Sequence, residues 1–543
     1  MISKVKNIVL VVCIILIVTL TTRAYGNEKK ESVMIGLESL KDEENCFSLY
    51  SNEGYSLGFY NDDFNEIAEL DSKELLVRID DYYEINSNNY ELSDIEDSEL
   101  GYFHLKIDEK YDSYEESMKI IDDLKDEDIK AYPVYKNDFQ IWIGHFLTKE
   151  DANNRKKEIE DITKVDLEVA LDKENVVIEN NSGETVFLYG SNEKIYIKSN
   201  NQVPVIQINN KEFRDFLAFN IVKRNLIPIN FLPLNHYLYG VVPREVSASW
   251  PMEALKAQAV AARNYTLINK SKHSKSGYGL CDTHDCQVYG GYDVENEKSN
   301  KAVDDTSNKV ITYNGNLISA FYHSTSGGHT ENSENIWSFE VPYLKGVDDK
   351  FSKDSPNSKW ELSIDKEKLE KKLIENDIEL GDIIEIRILE VSDNDRVLKL
   401  LVIGTEGNKV FEKEAIRKII GYYELKSTWY NVETDADVYV IDGNGDKPIK
   451  KTINNTKIIT ADGLNTVSRD SDRRVENEIN KKFSITDGEI EKKVSAIPTT
   501  YYFSGKGWGH GLGMSQWGAK KMAELGYSFD EILEYYYTGT KVE

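Results

Sequence analysis

From residue 505 to residue 513 every second residue is glycine: Gly505-Lys-Gly-Trp-Gly-His510-Gly-Leu-Gly513. No ordinary helix or strand tolerates five glycines in nine residues, because glycine loses the most freedom on ordering and offers no side chain to pack. The run surrounds His510 and leads into a helix at Ser515-Gln516-Trp517. It predicts a site loop, a backbone bent around an imidazole. Six of the eight histidines lie between 236 and 510, against random scatter.

A second segment has the same character. Tyr322-His323-Ser324-Thr-Ser326-Gly327-Gly328-His329-Thr-Glu331 sets two adjacent glycines among hydroxyl and imidazole groups, which allows close backbone approach to a ligand. A third runs from Tyr237 to Tyr265. Pro251 suits a first helical turn, and Ala254, Ala257, Ala259, Ala261 and Ala262 favour a helix that packs tightly. Glu245 precedes this helix, in the company of Val241, Val242, Pro243 and Trp250. A carboxyl in apolar surroundings holds its proton more tightly, as a general acid needs. For one glutamate without context, a surface or capping carboxylate is the simpler reading.

The first 26 residues set the compartment. Lys4 and Lys6 precede an apolar run over residues 8–20, followed by an Ala24-x-Gly26 step. This reads as a secretory signal, or as an uncleaved anchor that would be the only tie to a membrane. The remainder is then extracytoplasmic. Acidic residues outnumber basic ones, 95 to 66, a balance that repels nucleic acid. A weakly charged glycan remains an acceptable partner.

At 543 residues two or three domains are expected. Residues 27–100 read as an acidic lead-in with short strands. Over residues 101–172 two strand-like stretches, Phe103-His-Leu-Lys-Ile and Phe139-Gln-Ile-Trp-Ile, are each followed by a helical pattern. Those helices open with Ser113-x-x-Glu116 and Thr148-x-x-Asp151, both like capping boxes. Two β-α units fit a small α/β sandwich. The pattern resembles a SPOR domain, a fold implied to bind glycan stripped of its peptides; a generic βαβ module fits nearly as well. Residues 173–431 and 498–543 form the main domain, and the polar stretch 432–497 reads as an insertion. The expected class is α+β, a β-rich core carrying the alanine-rich helix after a small α/β module.

Leu-Tyr-Gly-Val-Val-Pro-Arg-Glu (238–245), Ser-Trp-Pro (249–251), Leu-Lys-Ala-Gln-Ala-Val-Ala-Ala-Arg (255–263), Cys-Gln-Val-Tyr-Gly-Gly (286–291) and Gly-His-Gly-Leu-Gly-Met-Ser-Gln-Trp-Gly-Ala (509–519) together resemble the SpoIID/LytB family. The resemblance covers roughly residues 175–430 and 499–543. It implies a lytic transglycosylase of peptidoglycan with Glu245 as the catalytic glutamate, and a preference for glycan stripped of stem peptides by an amidase. In that chemistry one carboxyl protonates the leaving oxygen, then deprotonates the muramic acid C6 hydroxyl, which closes on C1 as a 1,6-anhydro end. Such a reaction differs from hydrolysis between two carboxylates. Tyr322, His323, Ser324, Gly327, Gly328, His510, Ser515 and Gln516 are the expected substrate contacts, although any of them could instead brace the loops.

Cys281-Asp-Thr-His284-Asp-Cys286, with His273 upstream, offers zinc-type ligands. A disulfide between Cys281 and Cys286 suits an extracytoplasmic protein equally. The resemblance implies zinc in some members, but His284 stands one place earlier than the family's usual His-Cys pair. The expectation is structural zinc on Cys281, Cys286, His273 and His284. Two further readings stay open: a non-catalytic wall-binding activator of an amidase, and a glycoside hydrolase pairing Glu245 with Glu331.

Overall fold

The computed structural model describes residues 31–40, 45–86, 89–170, 174–440, 449–452, 457–460, 463–466, 482–486, 491–495 and 497–543. The leader expected over residues 1–26 lies outside the described residues. The fold is α+β, with helices interspersed among mostly antiparallel sheets. Contacts divide the chain into two compact units, one of residues up to 245 with 269–296, the other of 246–268 with 297–543. The main domain expected over 173–431 and 498–543 is thus shared between them. No helix among the described residues is long and apolar enough to cross a membrane.

In the first unit, helix α1 (Tyr114–Asp126) starts where its cap chemistry dictates: Ser113 Oγ accepts from Glu116 N at 3.2 Å. Helix α2 (Lys149–Thr163) starts at Thr148, whose Oγ1 accepts from Asp151 N at 3.0 Å. They alternate with Phe103–Ile107, Ala131–Tyr135, Phe139–Phe146 and Leu167–Ala170 in the order βαββαβ. Ala131–Tyr135 carries Pro133, which weakens any strand signal in the sequence.

This module is not a sheet of its own. Ala131–Tyr135 pairs in parallel with Thr185–Gly190. One ten-stranded sheet results, in the order Leu167–Ala170, Phe103–Ile107, Phe139–Phe146, Ala131–Tyr135, Thr185–Gly190, Asn175–Asn180, Glu74–Ile79, Cys46–Tyr50, Val205–Ile208, Lys211–Arg214. Described strands of the acidic stretch enter both large sheets: Cys46–Tyr50 and Glu74–Ile79 this one, and Ser32–Gly36, pairing Asn225–Pro233, and Tyr55–Tyr60, pairing Tyr196–Ser199, a separate seven-stranded one. Their acidity hides ordinary strand alternation: in Phe64–Leu70, Glu66 and Glu69 face water while Ala68 and Leu70 are buried.

The second unit is built on the alanine-rich helix, here α4 (Met252–Asn269), following α3 (Leu234–Glu245) of the first. Ala257, Ala259, Ala261 and Ala262 are all fully buried, so neighbouring elements approach the α4 backbone closely. Asn264 Nδ2 donates to Ile311 O at 2.6 Å, and Arg263 Nη2 donates to Val303 O at 3.1 Å. A separate three-stranded sheet places Thr500–Gly505 between Trp360–Asp365 and Tyr430–Thr434. The polar insertion leaves from Tyr430–Thr434 and returns at Thr500–Gly505, strands that pair through Thr434 and Tyr501. With its ends this close, an insertion costs little beyond loop closure. Its described parts are two-stranded ladders such as Lys482–Thr486 with Glu491–Ser495.

Candidate functional site

Glu245 is the last residue of α3 and is half-buried. Leu238, Val241 and Val242 anchor that helix in the first unit at zero exposure. Pro243 lacks the N–H that would bond back one turn, which suits a helix about to stop. The Tyr289-Gly290-Gly291 segment forms the seat of the helix. A β-carbon on Gly240 would collide with the Tyr289 ring and lie 2.9 Å from Gly291 O. Gly290 N donates to Gly240 O at 3.0 Å. Tyr289 OH donates to Asn230 Oδ1 at 2.8 Å, and Asn230 Nδ2 donates to Arg214 O at 2.7 Å.

Three residues before Tyr289 lies a ligand cluster. One donor atom each from His273, Cys281, Asp285 and Cys286 lies within 4.8 Å of all the others. Cys286 Sγ and His273 Nε2 are 3.3 Å apart, and Asp285 Oδ2 is 3.2 Å from the same nitrogen. Both cysteines are unbridged thiols. A hydrogen bond from Cys286 leads in pushing the Cys281 thiol down to about 5. His284 is exposed and outside this cluster; Asp285 stands where His284 was expected. Zinc bonds of 2.0–2.3 Å in a tetrahedron put donor atoms about 3.3–3.8 Å apart; the four residues are of zinc-binding type, and the two contacts of His273 Nε2, at 3.3 and 3.2 Å, are near that range.

In the second unit the two glycine-rich segments lace together. Tyr322 and His323 pair in parallel with Met514 and Ser515. Thr325 and Trp508 exchange backbone hydrogen bonds, Trp508 N donating at 2.7 Å and Thr325 N at 3.0 Å. Gly507, Gly509, Gly511 and Gly513 all have left-handed φ, between 64° and 115°. At Gly509 the need is also steric, since a β-carbon there would lie 2.6 Å from His323 Cβ. Gly327, at φ 82°, packs on Gly507 and Lys506 in the same way.

The lacing sets His323 and His510 with ring centroids 5.6 Å apart. His323 Nδ1 donates to Leu512 O at 3.0 Å, so its Nε2 carries the lone pair; that buried atom finds no hydrogen-bond partner. His510 Nδ1 accepts from Leu512 N at 3.0 Å. Burial first, then Arg417 and Arg396, push His510 down to about 4. Burial and the neighbouring His510 hold His323 well below the usual histidine range. Both rings are therefore neutral at pH 7, able to accept or donate a hydrogen bond.

The other expected contacts divide by role. Tyr322 and Ser324 are half-buried, whereas Gly327 and Gly328 are buried in the lacing. Ser515 is fully buried and caps the helix Gln516–Glu524, its Oγ accepting from Gly518 N and Ser326 N, each at 3.3 Å. Gln516 Nε2 donates to Gln258 Oε1 of α4 at 3.3 Å. Trp250 of the Ser-Trp-Pro segment meets Trp517 with centroids 5.0 Å apart. Glu331 is fully buried: Oε1 accepts from Asn332 N, Asn335 Nδ2 and Asn394 Nδ2 at 2.8–3.0 Å, and Oε2 from Ser392 Oγ at 2.5 Å. That carboxylate is used up holding loops.

Sequence reasoning overlooks two supports. Arg396, 1% exposed, lays its guanidinium against Gly511, and its Nη2 donates to Ser326 O at 3.1 Å. Asp349 accepts from Ser326 Oγ at 2.7 Å and from Tyr536 OH at 2.8 Å. Neither stands in a motif; only their contacts reveal them.

A family model described as stage II sporulation protein, SpoIID, matches residues 222–313, and one described as a domain of unknown function matches residues 345–446. The amidase enhancer of Bacillus subtilis (strain 168) is 34% identical over 317 residues, 56% of this chain and 40% of its own length. The stage II sporulation protein D of the same organism is 30% identical over 326 residues, 57% of this chain and 74% of that protein. That of Bacillus amyloliquefaciens is 27% identical with the same coverage. The chain therefore spans less than half of the amidase enhancer but about three quarters of the two sporulation proteins.

Proposed function

The chain belongs to the stage II sporulation protein D family, and from that premise we propose that it is a peptidoglycan lytic transglycosylase acting outside the cytoplasmic membrane, in sporulation or wall remodelling. Glu245 protonates the oxygen leaving muramic acid C1. As a carboxylate it then accepts the proton of the C6 hydroxyl, which bonds to C1 and leaves a 1,6-anhydro end. No activated water is needed, so one carboxyl suffices. The observation that carries this reading is the seat of Glu245. A half-buried carboxyl ends a helix whose Gly240 is pressed against Tyr289 and Gly291.

His273, Cys281, Asp285 and Cys286 would hold a structural zinc, fixing the loop that delivers Tyr289 to α3. Zinc bound there would supply rigidity alone. Tyr322, His323, Ser324 and His510 would contact the sugar, while Ser515 and Gln516 brace the loops. The βαββαβ module would bind peptide-stripped glycan, as its SPOR-like pattern suggests. A second reading, a wall-binding activator of an amidase that cuts nothing, draws on the relative named amidase enhancer.

Product analysis separates the two. The protein and its Glu245→Ala variant would be incubated with amidase-stripped peptidoglycan, and released fragments read by mass spectrometry. Anhydro-muramyl ends from wild type alone support the transglycosylase. No release from either, with binding to sacculi retained, sinks it in favour of the activator.

A further inference from the structure

We propose that Asp80, His104 and His145 form a second metal site of the first unit, a zinc site without sulfur, separate from the cysteine cluster. One donor atom from each lies within 4.8 Å of the other two. Asp80 follows the strand Glu74–Ile79, His104 lies on Phe103–Ile107 and His145 on Phe139–Phe146. The sheet order puts four strands between Glu74–Ile79 and Phe103–Ile107. The long sheet therefore curls back on itself, and these three side chains close the curl.

The carboxylate is buried between two imidazoles, each with a nitrogen facing one of its oxygens. Asp80 is 3% exposed. Its Oδ2 accepts from His104 Nε2 at 2.9 Å and from Asn175 Nδ2 at 2.8 Å. Its Oδ1 faces His145 Nδ1 at 3.6 Å, and neither of these two buried atoms has a hydrogen-bond partner. The adjacent guanidinium of Arg78 is already committed to Glu179, its Nη2 donating to Oε1 at 2.6 Å and its Nε at 2.9 Å. A buried carboxylate between two imidazoles is a place for a cation.

The surroundings also fit a ligand set. His145 holds a left-handed φ of 70° in a bulge, where the pairing with Phe103–Ile107 shifts register between Gly144 and Phe146. An unbranched ladder would turn this ring elsewhere; the bulge aims it at Asp80. The far nitrogens are both engaged, His145 Nε2 with Thr185 Oγ1 at 2.9 Å and His104 Nδ1 with Tyr132 OH at 2.6 Å. Partners of this kind orient metal-binding histidines. Zinc would take the place of the proton that His104 Nε2 now donates to Asp80 Oδ2; that proton would move to Nδ1, which then donates to Tyr132 OH, so the ring stays a neutral ligand. Two imidazoles, one carboxylate and a water complete four-coordination.

The test uses the full chain carrying Cys281→Ser and Cys286→Ser, loaded with zinc and passed over a desalting column. Retention of one zinc, lost or weakened roughly 100-fold by His145→Gln, supports the site. The His145 side chain is 8% exposed, at the rim of the cluster, so this variant should keep its circular dichroism. A folded protein that retains no zinc overturns the proposal, as does zinc retained equally by His145→Gln and Asp80→Asn. If the double serine variant fails to fold, wild type is titrated with cobalt(II). Visible ligand-field absorption that keeps rising after thiolate charge-transfer absorption has saturated supports the site; parallel saturation overturns it.

Discussion

Tyr289 packs against α3 at Gly240 so closely that no side chain fits between ring and helix backbone. Five residues further on, the same helix ends at Glu245. Gly240→Ala should therefore force α3 off its seat. Overpacking of this kind costs about 1–3 kcal/mol. Urea unfolding should show that loss, and anhydro-muropeptide release should fall further than stability alone explains, because the carboxyl moves with the helix. An unchanged unfolding midpoint would mean that Tyr289 yields easily and does not position Glu245.

Asp285, rather than His284, lies within reach of the cysteine thiols. Cobalt(II) titration should show thiolate charge-transfer in wild type and in His284→Ala. The Cys281→Ser/Cys286→Ser double variant should abolish that band, and Asp285→Ala should weaken metal affinity roughly 10–100-fold. Equal weakening by His284→Ala and Asp285→Ala would refute this arrangement. A pair of cysteines that binds no metal and blocks thiol reagents after purification would point to the disulfide.

What the sequence discloses depends on whether the signal is local. The helix over α4 is legible in its alanines, and the starts of α1 and α2 in Ser113 and Thr148, because helix packing and capping act within a few residues. The acidic stretch 27–100 shows its short strands but not their partners: Ser32–Gly36 pairs with Asn225–Pro233, far along the chain, and in Phe64–Leu70 the glutamates Glu66 and Glu69 lie on the solvent face. The laced loops announce themselves in their glycines, but the residues that clamp them do not. Arg396 reaches Ser326 across 70 positions and Tyr536 reaches Asp349 across 187. Such long-range polar pairs leave no pattern in one sequence. Ser515, where the sequence already starts a helix, caps Gln516–Glu524, and its bond from Ser326 N is again long-range.

His510 makes stability depend on pH with a definite sign. Its folded-state value, about 4, lies below the 6.5 of an unperturbed imidazole. Between those values the unfolded chain binds more protons, so the stabilisation is fully present above pH 6.5 and is lost as pH falls towards 4. The effect should be on the order of 3 kcal/mol over that interval. His510→Gln should flatten this part of the stability profile measured by urea unfolding. Superimposable slopes for wild type and variant would show that His510 titrates normally.

Glu331 and Glu245 should separate stability from catalysis. Glu331 is fully buried with four donors on its carboxylate, one of them Ser392 Oγ at 2.5 Å. Glu331→Gln leaves some of those donors facing an amide N–H, and should cost roughly 2–3 kcal/mol. Product release should then decline only as the folded fraction declines, and its ends should remain anhydro. Glu245→Gln should do the reverse. At a half-buried helix end it should leave the unfolding midpoint nearly unchanged, yet lower product release about 10²–10⁴-fold. A Glu331→Gln protein with wild-type stability and no activity would instead mark Glu331 as a second catalytic carboxylate. Two-carboxylate hydrolysis would then follow, and wild-type products would carry reducing ends.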